Sequence, residues 1–105
     1  MFLQDVKELA NKKLDLEKVK NDLIIGFKNL IENNEDIKEE FDKTHGNENY
    51  HLFFNGLIIY LTETRKPFYR ARVEIITNQS KRMLAWYEIE YGWSGEILDD
   101  YFDFA

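Results

Sequence analysis

The chain contains no cysteine. That excludes disulfides, thiolate zinc sites and cysteine nucleophiles together. Proline occurs once, at Pro67, and no apolar run is long. The longest, Leu23–Phe27 and Leu57–Leu61, fall far short of the roughly 20 residues a membrane helix needs. The first residues, MFLQDVKELANKK, hold no apolar stretch of signal-peptide length, so a cytoplasmic location is expected and the sequon Asn78-Gln79-Ser80 carries no meaning. Basic residues are the minority charge: 14 Lys and Arg against 20 Asp and Glu give a net charge of −6. Phosphate backbones and anionic lipids attract basic surfaces, so neither nucleic acid nor membrane is an expected partner.

Hydrophobic residues make up 44% of the 105 and aromatic residues 15%, enough for one modest core without metal or disulfide staples. A single α+β domain spanning residues 1–105 is expected, helical over 1–44 and β-rich over 50–104.

Apolar residues at Phe2, Val6, Leu9, Leu16, Leu23, Phe27, Leu30, Ile37 and Phe41 are spaced by three, four or seven, which places them on one helical face. Asp15 is a candidate N-cap for a main helix over Leu16–Glu32, and Asn33 or Asn34 for a shorter one. Flanking short helices are favoured over one bent helix. Gly26 falls inside the strongest helical stretch, where glycine costs about 1 kcal/mol relative to alanine. A small side chain there suits close packing against the backbone.

The period changes to two after Thr44-His45-Gly46-Asn47. Asn55-Gly56 suits a hairpin turn between Tyr50–Phe54 and Leu57–Thr62. Strands follow at Phe68–Thr77 and Arg82–Tyr91. A three-residue loop, Gln79–Lys81, sets Ile75 opposite Ala85 and Val73 opposite Tyr87. Arg72 then faces Glu88, Arg70 faces Glu90, and Ile76 faces Leu84. Apolar and charge pairing choose the same register. Glu96–Phe104 reads as a last strand or a short terminal helix. The expected fold is N-terminal helices packed on one face of a three- to five-stranded antiparallel sheet.

Candidate chemistry is sparse. His45 and His51 match no zinc spacing, and Asp99, Asp100 and Asp103 lack the alternation, glycine and closing glutamate of a calcium loop. Gly92-Trp93-Ser94-Gly95 fails the G-x-S-x-G pattern of a nucleophile elbow. No phosphate-binding glycine loop occurs. Glu88 and Glu90 have Arg70 and Arg72 as partners, which suits a structural role better than acid–base work. Neither enzyme activity nor a cofactor or metal is expected.

Charge is uneven along the chain. Residues 31–49 carry seven acids against Lys38 and Lys43, residues 63–82 are mainly basic, and residues 88–105 hold six acids and no base. The basic block and acidic tail either neutralise each other within the fold or form separate poles. Strand alternation puts Trp86 with Phe68, Ile76 and Leu84, ringed by Arg70, Arg72, Glu88 and Glu90. Two arrangements are open: helices cover this face too and Trp86 is core, or the face is an apolar centre with a charged rim, the composition of an interaction site.

In the C-terminal third, the segments Trp86-Tyr87-Glu88-Ile89-Glu90-Tyr91 and Gly95-Glu96-Ile97-Leu98-Asp99-Asp100-Tyr101-Phe102 resemble small acidic α+β immunity proteins of bacterial polymorphic toxin systems. The resemblance covers about a quarter of the chain and no diagnostic motif. It implies stoichiometric inhibition of a cognate toxin, a basic nuclease for instance, without catalysis. A phage- or prophage-encoded inhibitor of a host nucleic-acid enzyme fits the same features, as does a domain that pairs with itself as a homodimer.

Overall fold

The computed structural model describes residues 15–46 and 48–105. The helical positions expected at Phe2, Val6 and Leu9, and any helix they form, lie outside the described residues. Helix α1 spans Leu16–Asn33 and α2 spans Glu35–His45. Asp15 caps α1 as its sequence position implies: Oδ1 accepts from the backbone N–H of Glu17 at 3.0 Å and of Lys18 at 3.2 Å. Val19, Leu23 and Phe27, at steps of four, form its buried stripe. Asn34, in extended conformation, separates the helices, and its Nδ2 donates to the Leu30 carbonyl at 2.8 Å.

Four strands follow: β1 (Tyr50–Tyr60), β2 (Phe68–Thr77), β3 (Met83–Gly92) and β4 (Ile97–Phe104). They pair antiparallel in the order β1-β2-β3-β4. The α+β architecture is the expected one, and the C-terminus is a strand. Both helices press on one face. Val19, Leu23, Phe27 and Phe41 meet Tyr69, Ala71, Val73, Ile75, Tyr87, Ile89 and Tyr91 there to make the core. The Tyr69 and Tyr91 rings stack at 5.0 Å within it, and Phe41 meets Phe27 and Tyr50 edge-on. Gly26 faces Tyr87: a methyl group at residue 26 would collide with the Tyr87 hydroxyl, so the glycine permits this approach.

The β2–β3 register holds as expected at Ile75–Ala85, Val73–Tyr87, Arg72–Glu88 and Arg70–Glu90. Two expectations need correction. Asn55-Gly56 does not turn a hairpin. Residues 50–60 are one strand with a bulge there, Gly56 at φ 125°, and the partner of β1 is β2. An Asn-Gly pair supplies positive φ equally well to a turn or to a bulge, and the pairing of the apolar rows on either side with β2 selects the bulge. The second correction concerns Leu84. It is the extra residue of a bulge in β3, so Ile76 faces Met83 rather than Leu84. Leu84 turns into the core at 2% exposure, and Met83 takes its place on the outer face.

Candidate functional site

The face of the sheet away from the helices is bare of helix among the described residues, and it carries most of the residues singled out in the sequence. Its middle is a lattice of ion pairs. Arg70 donates through Nε to Glu90 Oε1 at 3.0 Å, and its Nη2 lies 3.0 Å from the same oxygen. Arg65, from the loop before β2, reaches the other Glu90 oxygen at 3.5 Å. Arg72 Nη1 donates to Glu88 Oε1 at 3.3 Å, and Arg70 Nη1 links across to Glu88 Oε2 at 3.8 Å. Five side chains thus form one chain of charge: Arg65, Glu90, Arg70, Glu88, Arg72.

Aromatic rings support each guanidinium. Arg65 lies 3.8 Å over Phe68, Arg70 lies 4.5 Å over Tyr101, and Arg72 lies 4.7 Å over Trp86. Tyr60 stacks on Phe68 at 4.7 Å and 5°. A guanidinium on a ring face and in contact with a carboxylate is held in place on both sides. The lattice is therefore a pre-ordered surface, with Glu90 only 6% exposed and Glu88, Arg70 and Arg72 partly buried. These pairs are not the fully exposed kind that contributes little, because the rings remove much of the water from around the charges.

Trp86 is half-buried, between Glu74 and Asp103 on the neighbouring strands. Ile76 is half-buried on the same face, across from His51 and Met83. Phe68 points outward as expected but is buried beneath Tyr60 and Arg65. Leu84 leaves the set, for the reason given above. Sequence reasoning missed Tyr60, Tyr101 and Arg65. Tyr101 and Tyr60 were legible as alternating positions, but which strands neighbour β2 and β3 was not. Toward β1 the face ends in two exposed apolar residues, Phe53 and Ile58. Arg72 Nε is buried and has no acceptor among the described residues.

Opposite this surface, between α1 and β4, lies a groove of about 530 Å³ lined by Asp22, Ile25, Gly26, Tyr87, Ile97 and Asp100, among others. Its carboxylates have structural work: Tyr91 donates to Asp22 Oδ2 at 2.9 Å and Tyr87 to Asp100 Oδ2 at 2.7 Å. Burial and these carboxylates push both phenols above their ordinary range. His51 Nδ1 donates to Asn78 Oδ1 at 2.5 Å. Among the described residues, no three of His, Cys, Asp and Glu gather as a metal site requires. No helix among them is long and apolar enough to cross a membrane.

Comparison with known proteins gives no family model that matches the chain, and no significantly similar curated protein or solved structure.

Proposed function

We propose that this chain is a non-enzymatic protein-binding module whose uncovered sheet face docks a partner protein. The observation that carries this is the guanidinium–aromatic–carboxylate lattice around Trp86. Tryptophan, tyrosine and arginine are the residues that dominate binding energy at protein interfaces. Here they are held rigidly before any partner arrives, which lowers the entropic cost of association. The face also has a charge preference. Arg65, Arg70 and Arg72 stand against Glu74, Glu88, Glu90, Asp99 and Asp103, so the surplus is acidic and favours a basic partner. Inhibition of a basic toxin, as the resemblance to immunity proteins implies, fits that preference. So does inhibition of a host nucleic-acid enzyme by a phage-encoded protein.

The test is to recover the partner from the native host, purify it, and measure its affinity for three forms of the chain. Trp86→Ala should weaken binding by about 30-fold, the equivalent of a 2 kcal/mol hot spot. Ile25→Asp, on the helix side, should leave it unchanged. The reverse pattern refutes the assignment to this face. If the partner is a toxin, co-expression of the wild-type chain should restore growth and Trp86→Ala should not.

A further inference from the structure

The first strand carries a different surface, independent of the reading above. β1 is an edge strand, and its outer side pairs with no strand among the described residues. Unpaired edge N–H and C=O groups are a template for another strand, and proteins commonly guard them with charge. The opposite edge is guarded: β4 holds Asp99, Asp100 and Asp103 within eight residues. Across its eleven residues β1 has no Asp, Glu, Lys or Arg, although such residues make up 32% of the chain. Phe53 and Ile58 stand 51% and 57% exposed on its outer face, one on each side of the bulge.

We propose that β1 pairs antiparallel with β1 of a second copy, about a two-fold axis at the Asn55–Gly56 bulge, to give one continuous eight-stranded sheet. An edge without charge admits a second copy, and the register selects it. Two chains of net charge −6 repel where their acidic surfaces meet, and the β1 edge lets them approach without apposing carboxylates.

The bulge selects the register. The extra residue switches the parity of the strand, so Leu52 and Phe54 face the helices before it, and Leu57 and Ile59 after it. Cross-strand neighbours must share a face. With Asn55 opposite the partner's Gly56 this condition is met along the strand. Phe53 faces the partner's Ile58, Phe54 faces the partner's Leu57, and Leu52 faces the partner's Ile59. The two-fold repeats each aromatic–aliphatic pair, and the contact closes on itself instead of growing into a fibre. An axis normal to the sheet also keeps both Trp86 faces on one side.

Absence of cysteine makes the test direct. Phe53 and Ile58 are five residues apart along one strand, roughly 17 Å, so cysteines placed there cannot bond within a chain. Between antiparallel copies they are cross-strand neighbours within disulfide reach. Phe53→Cys/Ile58→Cys should give a covalent dimer on mild oxidation, and each single-cysteine variant should give little. By sedimentation velocity the unmodified chain should dimerise in the micromolar range. Phe53→Lys should weaken that dimer at least about tenfold, and adding Ile58→Glu should restore it through two Lys–Glu pairs. Trp86→Ala should leave the dimer intact, so failure here and failure of the partner-binding reading are separable. A monomer throughout that range, a double-cysteine variant that does not cross-link, or a charge swap without rescue overturns the proposal. A dimer lost on Trp86→Ala and kept on Phe53→Lys also overturns it.

Discussion

Gly26 shows how one atom can decide a packing arrangement. In an isolated helix, alanine there would stabilise by about 1 kcal/mol. In the fold, the added methyl meets the Tyr87 hydroxyl, which is buried and tied to Asp100. Overpacking of this kind costs roughly 1–3 kcal/mol. Gly26→Ala should therefore lower stability by about 1–2 kcal/mol in urea unfolding. Tyr87→Phe removes the colliding oxygen, so the double variant should lose less than the two single losses added together. The glycine was visible in the sequence as an anomaly. Its partner was not, because nothing local tells a helix residue which tyrosine lies sixty residues away.

The pairing of β2 with β3 was legible in detail, because two independent patterns agreed on it. Apolar residues wanted one face, and Arg70 and Arg72 wanted Glu90 and Glu88 on the other. What the patterns could not supply was the environment that Phe68, Trp86 and Tyr101 create around the charges. That environment raises the expected coupling. Arg72→Glu should destabilise, Glu88→Arg should destabilise, and the two together should recover about 1–2 kcal/mol in a double-mutant cycle, more than an exposed pair gives. The coupling should also survive added salt better than an exposed pair, since partly buried charges are screened less. A cycle with no coupling would show that the arginines are held by their rings alone. The bulges at Asn55 in β1 and Leu84 in β3 were illegible for a related reason. A bulge is one residue of slack that only the facing strand reveals, as Leu84 does opposite Ile75 and Ile76.

Among the described residues, the assembled core leaves one hydroxyl without a hydrogen-bond partner. Tyr69 is buried, its hydroxyl has no hydrogen-bond partner, and burial pushes its pKa up to about 12, helped by the carboxylates of Glu96 and Asp22. The neutral phenol is thus favoured in the folded state relative to the unfolded chain, where it titrates near 10. This stabilisation is fully present below pH 10 and is lost as pH rises through 12. Tyr87 and Tyr91 are raised for the same reason and add to the trend. Stability should fall steeply above pH 10, and spectrophotometric titration should show a class of tyrosines that ionises only as the protein unfolds. Tyr69→Phe should be close to neutral or stabilising at pH 7, because it removes a buried polar group without an acceptor.

The sequence by itself determined the helices between Leu16 and His45, the β2–β3 register, the charge pairs and the α+β class. These follow from spacing, capping and pairing within short reach along the chain. It also left Trp86 open between core and surface, and only the tertiary structure decided that. Both helices settle on one face, because one face has the continuous apolar rows of β2 and β3 and the other has arginine and glutamate, which helix packing would have to desolvate. Order of the strands was decided at the same level. Nothing in the Asn55-Gly56 dipeptide distinguishes a turn from a bulge. The choice is made by β2, against which both halves of β1 pair, Leu52 and Phe54 with Ile75 and Val73, Leu57 and Ile59 with Ala71 and Tyr69. That choice is also what leaves an uncharged edge at one side of the sheet and an acidic one at the other.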